Sequence, residues 1–428
     1  MSSNLFTDMR GTLFFPVKEN HNFSQCTVSV NKKNVFRGIH INQFEKLVTC
    51  IQGRVLDIIV NFDEKASDYL IPKYYYLDPK TSLFQLHIPK NYGHAFLSLE
   101  EDSILIYHLS DIFKEETTMH INYLDPWINI ELPIDDNTII LSEKDKQLNF
   151  VKPIDYLIFG SNGFLGSNVT NFLGLRTNNF IKSNLRLQNT EKIEKVVSIF
   201  KPKYIINCAG ITGTPNIFWC DENKTETIEN NITYQLTLAA ICKKYSVHLT
   251  ILGSGGIFEN RIDKIYEDQD EGNNYDTFYG ITRIYLESII KNYDNILYLR
   301  INYPISSTPS QKNLLTKLLS YNTIKSQKFS ITYIDNLFPI LFEMIENNET
   351  GICNFTNPGI INIVDIVKTY YKTNNICKDF SIDSSLDSDK RSIPTLHSNI
   401  LKKYNPKDIN EVIIECSKNY HEKIITKK

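Results

Sequence analysis

The chain has 428 residues, of which 42% are hydrophobic and 22% charged, and a formal net charge of −3. These are the values of a soluble globular protein with two or three domains, and they give no reason to expect nucleic acid or an anionic membrane as partner. No apolar run approaches the roughly 20 residues that span a bilayer, the N-terminal MSSNLFTDMRG carries no secretory pattern, and eight scattered cysteines without a C-x-x-C pair read as reduced thiols, so a cytoplasmic protein is expected.

Residues 1–150 break into short runs rich in β-formers: CTVSV, KLVTCIQGRVLDIIVNF, SLFQLHIP, AFLSL and SILIYHLS. Gly, Asn, Asp and Pro separate them, which predicts an antiparallel sandwich or barrel. LSEKDKQLNFVKP is the expected join. Over 151–428 the period changes. DYLIFG, KYIINCAG, HLTILGSGG and NILYLRINY read as strands, with helical segments such as TIENNITYQLTLAAICKKY between them. That alternation predicts a parallel sheet with helices on both faces, a Rossmann domain. Beyond about residue 301 the signals mix and end in a charged helix, a small substrate-side lobe.

GSNGFLG follows the strand DYLIF directly and places Gly160, Gly163 and Gly166 at G-x-x-G-x-x-G spacing, with Asn162 and Phe164 in the same turn. Such a turn brings backbone N–H groups close to a pyrophosphate at a helix N-terminus. About 20 residues on, FIKSNLRLQN has Lys182 and Arg186 and no acid. Cations suit a 2′-phosphate, so NADPH is the expected cofactor. Ser254 ends the strand HLTILGS, and FYGITR puts Tyr279 four residues before Arg283 on one helix face. This is the Tyr-x-x-x-Lys spacing of short-chain dehydrogenases with arginine in place of lysine. A single tyrosine among 24 is most often a packing residue; its place after the serine-bearing strand singles it out.

Several long stretches of the second half, KPKYIINCAGITGTPNIFWCDENKTETIENNI, GSGGIFE, LRINYPISS and GICNFTNPG, resemble the nucleotide-rhamnose synthase/epimerase-reductases, relatives of dTDP-4-dehydrorhamnose reductase. The resemblance implies NADPH-dependent reduction of a nucleotide-linked 4-keto-6-deoxyhexose. It puts Ala209 and Gly210 along the cofactor and Arg186 near its 2′-phosphate. It puts Asn231 and Lys317 at the substrate, with Ser254 and Tyr279 as catalytic hydroxyls and Arg283 at the family's lysine. Relatives that also epimerise carry a cysteine where this chain has Gly256. A glycine has no proton to exchange, so this half is expected only to reduce.

The first half resembles dTDP-4-dehydrorhamnose 3,5-epimerase, a cupin-type β-sandwich, through DMRG, FSQCTVSV, VFRGIH, KLVTCIQGRVLDIIV, IPKNYGHAFLSL, ILIYHLSDIF and LSEKD. The resemblance implies that His40 is the base and that Asp145 orients it. Lys46 then stabilises the enolate oxygen, and Tyr107 is the acid on the opposite face. Arg10, Gln25 and Arg37 would hold the nucleotide diphosphate, and His94 would be a second pocket histidine. Taken alone, His40 reads as a structural histidine and Asp145 as a solvated linker charge. A metal-binding cupin would need His40, Glu45 and His94 as ligands, and the sequence favours no metal.

The whole reads as a bifunctional enzyme that makes UDP-L-rhamnose, with dTDP as the less favoured nucleotide. Two alternatives stay open: a 3-epimerase/4-reductase of a 2-acetamido-2,6-dideoxy sugar, and an NADP-binding regulatory protein with a silent reductase site. Analogy with both families implies a homodimer.

Overall fold

A computed structural model describes residues 5–8, 11–14, 22–214, 216–259, 264–267, 271–384 and 394–426. It divides into two compact units, Met1–Lys152 and Pro153–Lys428.

The first unit is all β in its regular core. A hairpin joins β1 (Leu5–Asp8) to β2 (Gly11–Phe14). β3 (Gln25–Asn31), β5 (Lys46–Gln52), β8 (Gln85–Ile88) and β10 (Ser103–Leu109) form one antiparallel sheet in the order β3-β10-β5-β8. β4 (Phe36–Ile41), β6 (Val55–Asn61), β7 (Pro72–Leu77), β9 (Tyr92–Ser98) and β11 (Met119–His120) form the other, in the order β11-β4-β9-β6-β7. Val48, Cys50 and Leu105 from the first sheet and Val55, Ile59 and Phe96 from the second pack into one apolar layer between them. The outer face of the second sheet is covered by Ile121, Tyr123 and Ile128, which follow β11. Covered on both sides, β6 (VLDIIVN) is buried at every position. That explains its continuous apolar run and makes its single acid, Asp57, in need of a partner.

The second unit is doubly wound. Its six-stranded parallel sheet comprises β12 (Tyr156–Phe159), β13 (Phe180–Lys182), β14 (Tyr204–Asn207), β15 (His248–Leu252), β16 (Ile296–Ile301) and β17 (Gly351–Phe355), in the order β13-β12-β14-β15-β16-β17. One face is covered by the helix Phe164–Gly174 and the helix Ile334–Glu346, the other by Thr190–Phe200, Tyr234–Lys244 and Phe278–Ile290. Strands covered on both faces read as unbroken apolar runs, as YLIF and HLTIL do. The chain leaves β12 toward β13 on one side and returns to β14 on the other. The crevice for a ligand therefore opens at the carboxyl ends of β12 and β14. A separate core of Phe329, Tyr333, Tyr370 and Tyr420 holds the C-terminal lobe, ending in the helix Ile409–Ile425. The cupin-type sandwich, the Rossmann sheet and the small lobe expected from the sequence are all present. No helix among the described residues is long and apolar enough to cross a membrane.

Candidate active sites

In the first unit, β4 is irregular just before His40, where its pairing with β9 shifts register between Arg37 and His40. Gly38 sits at φ +121°, and a Cβ there would meet Ala95 Cβ at 2.5 Å. Bulges of this kind re-aim the next side chain. His40 Nε2 lies 3.8 Å from Asp145 Oδ1, an ion-pair separation too long for a hydrogen bond. Asp145 is 9% exposed. It belongs to the short helix Glu143–Lys146, whose N-cap Ser142 accepts from Asp145 N–H and donates through Oγ to Oδ2 at 2.8 Å. The carboxylate at the end of the unit is thus a built part of the pocket, and its reading as a solvated linker charge is corrected.

Burial holds the His40 imidazole below its ordinary pKa, against the opposing pull of Asp145. It therefore stays neutral near pH 7 and available as a base. For Asp145, burial raises the pKa, but His40, Ser142 and His120 outweigh it and the net shift is downward. Lys46, buried at the start of β5, is pushed down to about 8 by burial, with Asp57 opposing. Tyr107 on β10 has its phenol pushed well up by burial and by Asp57, with Arg37 opposing. The rings of Tyr107 and His94 are 6.1 Å apart.

His94 Nε2 lies 2.9 Å from Asp57 Oδ2, and both are buried. The sequence reading missed Asp57, since one acid inside VLDIIVN looks like an interruption of a core strand. It also missed His120, which β11 sets opposite His40 with ring centroids 4.8 Å apart. At the mouth, Arg37 is exposed and donates from Nε to Asn31 Oδ1 at 3.0 Å. Gln25 accepts from Phe113 N–H at 2.8 Å. Arg10 lies outside the described residues. Among the described residues no three His, Cys, Asp or Glu side chains converge as a metal set. Glu45 turns to His87 at 3.2 Å, and His94 turns to Asp57.

In the second unit the glycine turn has no room for side chains. Gly160 adopts φ +70°, and a Cβ on it would lie 2.6 Å from Ala209 N. A Cβ on Gly166 would lie 2.1 Å from Gly160 O. Gly163 begins the helix Phe164–Gly174 without a side-chain cap, leaving its first N–H groups for a ligand. Asn162 and Gly163 are exposed at this turn, as are Lys182, Arg186 and Gly210 at neighbouring strand ends. This cradle fits a dinucleotide pyrophosphate.

Ser254 and Tyr279 meet beside Gly256. A Cβ built there would lie 3.2 Å from Ser254 Oγ and 3.8 Å from Tyr279 Cε1. Tyr279 stands in the first turn of the helix Phe278–Ile290, which Thr277 caps by accepting from Gly280 N–H. The helix is fixed to β16 by the buried Arg300, whose guanidinium forks onto Glu287, with Nε–Oε2 at 3.0 Å.

Arg283 is 4% exposed. Its Nη2 donates to Asn231 Oδ1 at 3.3 Å, and its guanidinium carbon lies 5.4 Å from the Tyr279 ring centre. Burial pulls its pKa down, but Tyr279 and Tyr298 more than offset this, so it keeps its charge. Arg283 Nε and Nη1 and the Tyr298 hydroxyl are buried without a hydrogen-bond partner. Asn231 lies in a one-turn π segment, Glu229–Thr233, and also exchanges two 2.9 Å hydrogen bonds with the Ile211 backbone. Lys317 is exposed on the helix Leu314–Ser320, with no hydrogen bond to Ser254, Tyr279 or Asn231. Tyr298, missed in the sequence, read there as one more core residue of NILYLRINY.

Comparison with known proteins agrees with both halves. The dTDP-4-dehydrorhamnose 3,5-epimerase family matches residues 3–152, and the NAD dependent epimerase/dehydratase family matches residues 156–303. The bifunctional dTDP-4-dehydrorhamnose 3,5-epimerase/dTDP-4-dehydrorhamnose reductase of Arabidopsis thaliana is 34% identical over 223 residues, 50% of this chain and 74% of that protein. A trifunctional UDP-glucose 4,6-dehydratase/UDP-4-keto-6-deoxy-D-glucose 3,5-epimerase/UDP-4-keto-L-rhamnose-reductase of the same plant is 33% identical over 258 residues; the match covers 55% of this chain and 38% of that relative's length. Among solved structures, the UDP-rhamnose synthase of Acanthamoeba polyphaga mimivirus aligns with a TM-score of 0.58 and 28% identity, covering 63% of this chain and 100% of that one. The dTDP-4-dehydrorhamnose reductase of Yersinia enterocolitica shares the fold, with a TM-score of 0.55 at 21% identity over 62% of this chain and 99% of that one. The chain therefore belongs to the family of bifunctional 3,5-epimerase/4-keto-reductases, with an epimerase domain in its first unit and a nicotinamide-dependent domain in its second.

Proposed function

We propose that the chain converts a nucleotide-linked 4-keto-6-deoxy-D-glucose into the corresponding L-rhamnose, epimerising C3 and C5 in the first unit and reducing C4 in the second. The observation that carries this reading is the presence, in one chain, of the His40–Asp145 couple and the Ser254–Tyr279 pair. Protons α to the C4 ketone are acidic because the enolate is delocalised. His40 takes one, Asp145 supports the imidazolium, Lys46 holds the enolate oxygen, and Tyr107 returns a proton on the other face. Gln25 and Arg37 hold the nucleotide diphosphate at the mouth, with Arg10 assigned to the same group by the sequence resemblance alone, and His94, held by Asp57, borders the sugar.

In the second unit Gly160, Asn162, Gly163, Phe164, Gly166, Ala209 and Gly210 line the cofactor path, with Arg186 at the 2′-phosphate of NADPH. When bound, NADPH supplies a hydride for C4. Ser254 then holds the C4 oxygen and Tyr279 donates the proton to it, with Arg283 beside the phenol; Asn231 and Lys317 face the sugar. UDP is the favoured nucleotide, since the mimivirus structure and the trifunctional plant relative are named for UDP-sugars.

The test follows NADPH absorbance with UDP-4-keto-6-deoxyglucose, beside the dTDP-sugar and the 2-acetamido-2,6-dideoxy-4-keto analogue. Turnover of none of the three sinks the reading. A second reading, an NADP-binding protein with a silent reductase site, is favoured by one observation: Arg283 stands where the family has lysine, and among the described residues its Nε and Nη1 have no hydrogen-bond partner. Silence of the natural protein with activity in Arg283→Lys would decide for it.

A further inference from the structure

His40 has a second neighbour that the epimerase chemistry above leaves unused. His120 pairs with it across β4 and β11, its ring edge-on to that of His40 at an interplanar angle of 81°. On the far side, His120 Nε2 lies 3.0 Å from Glu115 Oε1 and 3.4 Å from Lys144 Nζ. Lys144 binds that same carboxylate oxygen. His120 Nδ1 is buried and has no hydrogen-bond partner. Glu115 and Lys144 are exposed, at 52% and 53% of their side-chain surface. A line of titratable groups thus runs from the base to solvent.

Two α-protons must leave the sugar, from C3 and from C5, and one base serves both. After the first abstraction His40 is an imidazolium and cannot act again until it gives up that proton. Its side chain is 34% exposed in the open pocket, and a sugar seated over it covers that route to water. Asp145 already stands as its ion-pair partner, and Lys46 is a cation and takes no proton. His120 is the neighbouring group with an open acceptor site. The nearer partner of its Nε2 is the Glu115 carboxylate, which assigns the hydrogen to Nε2 and the lone pair to Nδ1.

We propose that His120 and Glu115 form a proton relay that resets His40 between the two epimerisations while the sugar stays bound; this rests on the epimerase reading of the first unit. The proton taken from C3 or C5 passes from His40 to His120 Nδ1. The Nε2 proton moves to Glu115 and from there to water, which leaves the hydrogen of His120 on Nδ1; once the sugar has left, exchange with water returns it to Nε2, so charge and protons balance over the cycle. Burial lowers the pKa of both histidines, so each rests unprotonated at neutral pH with a lone pair free. His120 here is a positioning and relay residue and does not touch the sugar.

The experiment uses the full-length protein in D2O with UDP-4-keto-6-deoxyglucose and no NADPH, following deuterium at C3 and C5 by NMR. The natural protein labels both carbons with little singly labelled sugar released. His120→Ala is expected to release singly labelled sugar and to lower kcat for the second exchange roughly a hundredfold, with KM unchanged, the low end of what loss of a proton-transfer group does. Added imidazole, which fits the vacated space, restores double labelling. Glu115→Gln, a change at an exposed turn that leaves the fold alone, shifts the product ratio in the same direction. Double labelling at the natural rate in both variants overturns the relay. So does equal slowing at both carbons without response to imidazole, which marks a packing role. If the natural protein labels neither carbon, the epimerase reading itself fails and takes the relay with it.

Discussion

Lys46 is buried in the sandwich and His40 half-buried, and loss of hydration disfavours the charged form of each. The consequences for catalysis have opposite signs. In the proposed epimerisation His40 is a neutral base, and its pKa is lowered below 6.5, so that function should persist as pH falls until the lowered value is crossed. The role proposed for Lys46 needs a cation, and Lys46 loses its proton as pH rises through about 8. Deuterium exchange at C3 and C5 should therefore follow a bell, with an acid limb below 6.5 and an alkaline limb near 8. Initial rates in overlapping buffers check this, and a rate still climbing above pH 9 removes Lys46 from the role. The reductase site poses a different residue-level question. Arginine keeps the charge beside Tyr279, but its planar guanidinium does not reproduce a compact ammonium. We expect a working but slow reductase, with Arg283→Lys raising kcat for NADPH oxidation roughly tenfold, about 1.4 kcal/mol of barrier. Tyr298→Phe removes the buried hydroxyl beside the guanidinium and should change kcat in the natural background more than in Arg283→Lys.

At the level of elements, the glycine turn is the strictest feature. A methyl at Gly166 would collide with the Gly160 backbone carbonyl, so Gly166→Ala must move the turn itself. The expected cost is roughly 1–3 kcal/mol of stability, together with loss of NADPH binding, read by thermal denaturation and by quenching of NADPH fluorescence. That turn was legible in the sequence because strand, turn and helix are consecutive there. Asp145 was legible only through resemblance, since its ion-pair partner His40 lies on β4, far earlier in the chain. Asp57, His120 and Tyr298 were not legible as site residues at all. Asp57 and Tyr298 sit in strands whose local pattern says only β, His120 sits in a two-residue strand with no pattern of its own, and each reaches its site through the register of a non-local pairing. His120 meets His40 because β11 pairs with β4, and Tyr298 lies beside Arg283 because β16 follows β15 in the sheet. Periodicity alone gives a strand's faces but not its partners.

Across the whole molecule, two units with separate cores are joined in one chain. Epimerisation of a 4-keto sugar is reversible, and reduction at C4 removes its product, so under the proposed function the covalent link would give a constant ratio of the two activities. Separate cores predict two unfolding transitions in calorimetry. NADPH at a hundred times its Kd should stabilise only the second unit's transition, by about 2.7 kcal/mol; a single transition that shifts as a whole would count against independent units. The pin between Glu287 and Arg300 has one more consequence. It holds the helix of Tyr279 with an ion pair shut away from solvent, while the line from His120 ends in the exposed Glu115–Lys144 pair. Mobile ions screen exposed charges within a few ångströms at molar concentration and reach buried ones far less. If the relay operates as proposed, rising ionic strength at saturating substrate should therefore slow isotope exchange before it touches hydride transfer, and a halophilic or dehydrated setting would leave the proposed two-step catalyst limited by its first step.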